Sequence, residues 1–224
     1  MTFPKHVCVI GAAGGLGQGI LQVCRDEGIR FTAVVRSRPE RIVDVPDGSR
    51  VVVIEDLADV DGLAAAFHGV DAVLTATGVT ATSRDRSALL SENLESIESA
   101  MRRANVDRIV VVNTLIASAP GDRPSLWTRV FTWFPGTVGR GAKELQAMPV
   151  ALGRGAWSGL RWTLVRASTN ASGADAPPAA ALDRGEGRVS MQPVSYAAMG
   201  RWMLEEAAAD RFVRAAPLVS KPRT

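Results

Sequence analysis

Four glycines in seven positions stand near the start of the chain, directly after a short apolar run. The segment is Gly11-Ala12-Ala13-Gly14-Gly15-Leu16-Gly17, a G-x-x-G-x-x-G pattern. Glycines there allow a tight strand-to-helix turn, let backbone N–H groups approach a pyrophosphate, and let the helix pack close to a sheet. A merely tight turn would not need four of them. The predicted dinucleotide-binding residues are Gly11, Ala13, Gly14, Gly15, Leu16 and Gly17.

The end of the second apolar run indicates which dinucleotide binds. NAD sites of this type place an acidic side chain about 20 residues beyond the glycines, where it binds the ribose 2′-hydroxyl. This chain has Arg36 there, 19 residues past Gly17, followed by Ser37 and Arg38. A guanidinium can hold a 2′-phosphate bidentately. Arg36 and Arg38 therefore favour NADP(H) over NAD(H), and the alternative is that both are solvated loop charges.

Asp56 and Leu57 follow the third apolar run. Asp56 is placed to accept a hydrogen bond from the adenine amino group of a dinucleotide. It is equally well placed to cap the helix that begins near Leu57. The sequence leaves these two roles open.

The counts of reactive residue types exclude several kinds of chemistry. The 224 residues include one tyrosine, two histidines, two cysteines and three lysines. Histidine clusters, cysteine-rich metal sites and disulfide frameworks are therefore excluded, and no metal is expected. Basic and acidic residues are nearly balanced, with a net charge of +3, so the composition does not indicate a protein that binds nucleic acid. With no run of 18 apolar residues and no apolar leader, a soluble cytoplasmic protein is expected.

The elements that must position these residues alternate along the whole chain. Strands are predicted at 6–10, 31–35, 51–54, 72–76, 108–113, 162–166 and 217–220. Helices are predicted from residue 16 to a cap at Gly28 and at 59–67, 85–104, 140–152 and 194–209, and residues 172–187 are predicted to form a loop. This order predicts a single α/β domain over residues 1–224, a doubly wound parallel sheet with helices on both faces.

Together these motifs resemble the short-chain dehydrogenase/reductase superfamily, in its atypical, NmrA-like and NAD(P)H-binding branch. Residues 158–166 look like the S-G-L-x-W-T-x-V-R segment of that branch, with Ala167-Ser168 in place of Pro-Gly. The similarity covers nearly the whole chain and points to no particular substrate. Its other segments are residues 11–17, Val34-Val35-Arg36, Glu55-Asp56-Leu57, residues 69–73, Ala76-Thr77-Gly78 and residues 108–114.

The resemblance implies a Rossmann-like fold with NADP(H) along the carboxyl edge of the sheet and hydride transfer at the nicotinamide. By similarity, Ala76, Thr77 and Gly78 line the adenosine and ribose side, and Thr114 matches the catalytic Ser/Thr position of the family. Substrate elements are expected from about residues 114–145 and 167–195. The segment expected at the nicotinamide carboxamide is Ala167, Ser168 and Thr169.

The chain departs from the family at the catalytic tyrosine. Most active members carry Tyr-x-x-x-Lys, in which the tyrosine protonates the substrate oxygen. Lys143 lies in the right region, but Gly139 stands four residues before it. Lys143 is expected to hold the nicotinamide ribose or to supply positive charge, and its spacing also fits the position of the missing tyrosine. Tyr196 lies too far downstream to form the motif and is interpreted as a half-buried packing residue.

An aromatic segment follows the fifth predicted strand. Trp127, Phe131, Trp133 and Phe134 place four of the twelve aromatic residues within eight positions. They are interpreted as a lid or wall for a flat, apolar substrate. Core packing and a subunit interface are the alternatives. A membrane-surface helix is disfavoured because Arg129 is its only charge.

The sequence therefore favours an NADPH-dependent oxidoreductase of small conjugated or aromatic molecules, such as a flavin, a quinone, an enone or a biosynthetic intermediate. Thr114, with Ser118, would orient the acceptor, and no tyrosine acid would take part. The alternatives are a non-catalytic NADP(H) sensor and an NADP(H)-binding isomerase or cyclase. A homodimer is left open. The 23 arginines against three lysines are associated with bacterial genes of high GC content.

Overall fold

The structure is a computed structural model. It describes residues 2–77, 90–122, 137–183 and 187–223, with residues 137–144 described as backbone only. The predicted strands and helices occur in the predicted order, and two further strands lie between residues 169 and 181. The strands are β1 (His6–Ile10), β2 (Arg30–Val35), β3 (Arg50–Val53), β4 (Ala72–Thr75), β5 (Arg108–Thr114), β6 (Arg161–Ala167), β7 (Thr169–Ala174), β8 (Ala179–Ala181) and β9 (Leu218–Ser220). The helices are α1 (Gly15–Asp26), α2 (Val60–Phe67), α3 (Leu94–Arg103), α4 (Thr137–Gly153) and α5 (Tyr196–Ala209), with single 3-10 turns at Pro39–Arg41 and Leu90–Glu92.

Eight strands form one sheet in the order β3-β2-β1-β4-β5-β6-β9-β8. All neighbours are parallel except β8, which runs antiparallel to β9. The order proceeds from β1 to β3 in one direction and from β4 onward in the other, so the chain reverses its direction of winding between β1 and β4. In open α/β sheets, ligands bind in the crevice at such a switch point. The predicted doubly wound α/β fold is confirmed.

Apolar side chains leave the sheet on both faces, which explains why the strands are continuous apolar runs. Along β1, Val7 and Val9 belong to one buried cluster, and Cys8 and Ile10 belong to the other. Helices α1 and α5 cover the first face, and α2, α3 and α4 cover the second. Alternate side chains of each strand therefore point to opposite faces of the sheet, where the apolar sides of the helices pack against them in layers.

The end of α1 matches its prediction, whereas the beginning of α3 does not. Gly28 ends α1 as predicted: its φ is +67°, and the N–H of Ile29 donates to the Cys24 carbonyl at 2.8 Å, closing the helix end. The predicted helix at 85–104 is too long, because α3 begins only at Leu94 and residues 90–92 form a 3-10 turn. Ser91 and Asn93 favour turns and caps over helix interiors.

Residues 172–187 are not a simple loop, and that prediction is wrong for part of the segment. The described part contains the end of β7 and all of β8. A Cβ atom on Gly173 would lie 2.2 Å from the Val194 carbonyl group, so β7 approaches Val194 backbone to backbone. Small residues have low strand propensity, and the strand forms because of its distant partner.

Helices α1 and α5 approach each other closely at glycine residues of both helices. A Cβ atom on Gly19 would lie 2.5 Å from the Tyr196 carbonyl carbon, and one on Gly200 would lie 2.9 Å from Ile20 Cα. Both distances are shorter than real Cβ contacts. This crossing brings the beginning of α5 next to the turn between β1 and α1.

The amino ends of β5 and β6 hold a buried ion network. Arg108 is 1% exposed, and its guanidinium lies 3.1 Å from the Glu206 carboxylate, which is fully buried on α5. Burial lowers the pKa of Arg108, while Asp210 and Glu206 oppose that shift. Glu206 also accepts the backbone N–H of Phe212 at 2.8 Å. The network ties the last turns of α5 to the edge of the sheet opposite the glycine turn.

Replacement of Gly200 tests the close crossing. Gly200→Ala should lower the free energy of unfolding by about 1–3 kcal/mol, because the added methyl group meets the backbone of Ile20. In an open helix the same change stabilises by about 1 kcal/mol. Urea denaturation measures the difference. Gly159→Ala is the control, since its Cβ would meet only Glu98 Oε1 at 3.6 Å, and equal stability of both variants would contradict the crossing.

Removal of Glu206 tests the ion network. Glu206→Ala should cost about 3–5 kcal/mol in thermal or chemical denaturation, because it leaves the buried Arg108 charge with only Asp210. The double variant Arg108→Met/Glu206→Leu should recover part of that loss, since it removes both charges. A double variant less stable than Glu206→Ala would show that the charges themselves contribute net stability.

Candidate functional site

The turn after β1 is built from close backbone approaches. Gly11 has φ +82°, and a Cβ atom there would lie 2.9 Å from Thr77 Cγ2. Its N–H and that of Ala12 donate to the Val34 carbonyl at 3.0 and 3.2 Å. A Cβ atom on Gly17 would lie 2.4 Å from the Gly11 carbonyl oxygen. Gly11 therefore permits the tight turn and Gly17 the close approach of α1, which are two of the three roles that the pattern predicts.

The first turn of α1 presents open backbone donors. Gly14 is the N-cap residue and offers no side chain to cap the helix. The first N–H groups of a helix have no partner within it. Gly14 and Gly15 are exposed, whereas Leu16 is buried beneath the turn and Ala13 is half-buried. The helix end can thus receive an anion such as a phosphate.

Neighbouring strand ends bring the glycine turn and three other predicted residues into one row. β4 lies between β1 and β5. β5 in turn pairs with β6, and in that pair Thr114 lies opposite Ala167. Thr77 follows β4, and its Cγ2 lies against Gly11. The glycine turn, Thr77, Thr114 and Ala167 therefore occupy successive positions along the carboxyl edge, as the sequence predicts for a cofactor cleft.

Two hydroxyl groups in this row are buried. In the part of the chain that the structure describes, neither Thr77 Oγ1 nor Thr114 Oγ1 has a hydrogen-bond partner. Buried hydroxyls are otherwise nearly always satisfied, and an exception requires an explanation. A bound dinucleotide and its substrate would supply the missing polar atoms, so the residues present fit such a ligand.

A basic segment lies beside the turn, at the end of β2. Arg36, Ser37 and Arg38 are exposed, and Arg38 has φ +61°, directly before the 3-10 turn. The Gln18 side-chain amide donates to the Ala12 carbonyl at 3.1 Å and to the Arg41 carbonyl at 3.2 Å. Gln18 thereby fastens the glycine turn to the 3-10 turn that follows the basic segment. Sequence reasoning missed it, because nothing local marks a bridging amide.

The end of β3 resolves one of the two roles left open for Asp56. Asp59, not Asp56, is the N-cap of α2, and its carboxylate accepts the Gly62 N–H at 2.9 Å. Asp56 is exposed and accepts the Ala58 N–H at 2.9 Å, which closes a turn before the helix. The capping role is therefore wrong for Asp56. The Leu57 side chain is buried in the core, so only its backbone can face a ligand.

The segment after β5 is tied to α4 by two side-chain amides. Asn113 Nδ2 donates to the Leu145 carbonyl at 3.1 Å, and its Oδ1 accepts the Thr114 N–H at 2.8 Å. Gln146 is buried, and its Oε1 accepts the Ser118 N–H at 3.2 Å. Ser118 and Gln146 line a cavity of about 190 Å³. These amides hold the predicted acceptor-orienting segment in place, and no local pattern in the sequence marks either of them.

The segment at the end of β6 already uses several of its polar groups. The Ser168 N–H donates to the Val219 carbonyl at 3.1 Å, and its carbonyl accepts the Val194 N–H at 3.1 Å. The Thr169 hydroxyl donates to the Val194 carbonyl at 2.9 Å. The fold places Ala167, Ser168 and Thr169 at the predicted edge, while these particular groups hold β6 to its neighbours.

Several predicted residues are not addressed by the structure. Gly78 and the aromatic residues Trp127, Phe131, Trp133 and Phe134 lie outside the described residues. Lys143 lies within α4, which confirms the predicted helix, but the described part of that residue is its backbone.

Tyr196 is the first residue of α5, far from α4 in sequence, and its half-buried ring packs against Gly15.

The two cysteines are core residues rather than reactive groups. Burial raises the pKa of the Cys8 thiol far above its usual range and that of Cys24 to about 12. A thiol that stays protonated is a poor nucleophile and metal ligand.

Among the described residues, no group of His, Cys, Asp and Glu side chains could hold a metal ion. The helices in those same ranges all lack the length and apolar character that a membrane span requires.

Comparison with protein families gives a match that covers most of the chain. The model of a family described as NAD(P)H-binding matches residues 11–215. No curated protein matches the sequence significantly.

Solved structures share the fold at low identity. A Rossmann-fold NAD(P)-binding family protein from Shigella flexneri is 18% identical, with a TM-score of 0.67 over 98% of this chain and 95% of that one. A short-chain dehydrogenase/reductase from Veillonella parvula in complex with NADP is 20% identical, with a TM-score of 0.66 over 99% and 96%. An oxidoreductase from Lactococcus lactis is 14% identical, with a TM-score of 0.70 over 98% and 92%.

Proposed function

Because the chain belongs to the NAD(P)H-binding family, we propose that it is an NADPH-dependent oxidoreductase that transfers hydride to a small conjugated or aromatic molecule. The observation that carries the proposal is the buried Thr114 hydroxyl, which has no partner among the described residues and lies at the carboxyl edge of the sheet, two strands from β1 and its glycine turn. When bound, the reduced nicotinamide supplies the hydride. A threonine hydroxyl there can orient an acceptor oxygen or nitrogen by a hydrogen bond.

The residues at hand favour acceptors that tolerate negative charge. A positioned general acid contributes typically about 10²- to 10⁴-fold, and the single tyrosine of the chain lies on α5 rather than on α4. Flavins, quinones and extended enones delocalise the charge that hydride brings, so they need no tyrosine. In this proposal Lys143 supplies positive charge near the nicotinamide ribose, and the segment of Trp127, Phe131, Trp133 and Phe134 provides the apolar wall.

The preference for NADPH rests on the basic segment after β2. Arg36 and Arg38 follow the strand that pairs with β1 and hydrogen-bonds to the glycine turn through Val34. A guanidinium at this position can hold the 2′-phosphate, and an acidic residue that would bind the ribose of NAD is absent from positions 36–38. The structurally similar protein from Veillonella parvula holds NADP, which is consistent with this choice.

The proposal extends to partners and location. A small molecule is the expected substrate, with no part for nucleic acid, and a homodimer is compatible with it. Two buried, unpaired cysteines suit the reducing cytoplasm.

The test of cofactor choice is Arg36→Ala. The variant should bind NADPH about 10- to 100-fold more weakly while its affinity for NADH changes little, because the lost contact is a charge-assisted hydrogen bond to the 2′-phosphate. Isothermal titration or quenching of tryptophan fluorescence gives both constants. Arg102→Ala, which removes an exposed arginine of α3, is the matched control. Equal losses for the two nucleotides would refute the NADP assignment.

The test of chemistry is Thr114→Val, measured by the loss of NADPH absorbance with flavins, quinones and enones. The variant should keep NADPH affinity but lose roughly tenfold or more in kcat. Its melting temperature should hold or rise, because the change removes a buried hydroxyl that has no partner among the described residues. NADPH binding without consumption by any acceptor would instead favour a redox sensor. Conversion of a substrate with no net oxidation would favour an isomerase or cyclase.

A further inference from the structure

An aromatic ring from α5 lies directly on the glycine turn. A Cβ atom added to Gly15 would lie 2.5 Å from Tyr196 Cε2 and 2.9 Å from Tyr196 Cζ. Both distances are shorter than real Cβ contacts, so the ring fills the space that a side chain at position 15 would take. Gly15 is the first residue of α1, where the open N–H groups lie.

The ring explains why position 15 is glycine. The backbone of Gly15 is not among the positive-φ glycines of the described chain, so its conformation would accept another residue. Gly17, by contrast, is required by the Gly11 carbonyl oxygen against it. Gly19 and Gly200 then let α5 approach α1 closely enough to deliver the ring. Gly15, Gly19 and Gly200 therefore all serve the position of one tyrosine.

The hydroxyl of Tyr196 is available to a ligand. Cζ, which carries the hydroxyl, is one of the two ring atoms nearest to the Gly15 position. The side chain is half-buried, and no described residue is hydrogen-bonded to this hydroxyl. The Tyr196 oxygen is not among the buried polar atoms that lack a partner, so it is open to solvent and to a ligand. No acidic side chain stands in the first turn of α1 to repel an anion.

We propose that Tyr196 is a cofactor-binding residue whose phenol hydroxyl donates a hydrogen bond to the pyrophosphate of the bound dinucleotide. The inference rests on the proposed binding of NADP(H) at the glycine turn. The glycines of that turn have no side chains to donate hydrogen bonds, and Tyr196 would supply such a donor. Backbone N–H groups from α1 bind the phosphates from one side, and the phenol of α5 closes the other. A hydrogen bond to an ionised oxygen is stronger than one between neutral groups.

The decisive variant is Tyr196→Phe, which removes only the oxygen atom. Its Kd for NADP⁺, measured by isothermal titration, should rise roughly tenfold or more. Its Kd for adenosine 2′-monophosphate, which occupies the adenosine end and carries no pyrophosphate, should stay unchanged. The melting temperature of the ligand-free protein should also stay unchanged. An unaltered Kd for NADP⁺, or equal losses for both nucleotides, would overturn the inference.

A second variant tests the link to Gly15. Gly15→Ala places a methyl group on the ring and should displace it, so NADP⁺ affinity falls although alanine favours the helix. Adding Tyr196→Phe to Gly15→Ala should then cost little more, because the hydroxyl has already left its position. Losses that simply multiply would show that the two residues act independently and would overturn the inference.

The wild-type protein separates this inference from the proposed function. If wild type binds NADP⁺ and Tyr196→Phe binds it equally well, only the role of Tyr196 falls. If wild type binds no NADP⁺ at all, the proposed function falls and this inference falls with it.

Discussion

The fold depends on how closely backbone can approach backbone at the switch point of the sheet. Gly11 meets the end of β4, Gly17 meets the Gly11 carbonyl, and Gly19 and Gly200 let α5 lie on α1. Packing in protein interiors is too dense to admit an extra carbon at such contacts. The carboxyl ends of β1 and β4, the first turn of α1 and the beginning of α5 therefore converge on one cleft.

Much of this arrangement can be predicted from the sequence, because its signals are local. Continuous apolar runs indicate strands that are buried on both faces, and the glycine pattern by itself marks the turn after β1. Gly28 ends α1 where its position predicts. Each of these signals acts within a few residues of its source, so it does not depend on contacts with distant parts of the chain.

The rest could not be predicted, because the determining partner lies far away in sequence. β7 exists through Val194, whose backbone meets Gly173. Gln146 matters because Ser118, 28 residues earlier, donates to it. Asp56 and Asp59 are both sound candidates for a helix cap, and only the geometry assigns the role to Asp59. Composition also presents Tyr196 as an oddity, whereas the fold places its ring on the glycine turn.

The buried pair of Arg108 and Glu206 anchors the later part of α5 to the sheet. Glu206 lies ten residues after Tyr196, about 15 Å along the helix, and is fixed by Arg108 at the amino ends of the strands. The same helix meets α1 through Gly200 between these points. The first turn is also closed, since Ser195 Oγ accepts the Ala198 N–H at 3.1 Å. Helix α5 is therefore held at both ends and near its middle, so Tyr196 meets the glycine turn from a firmly anchored support.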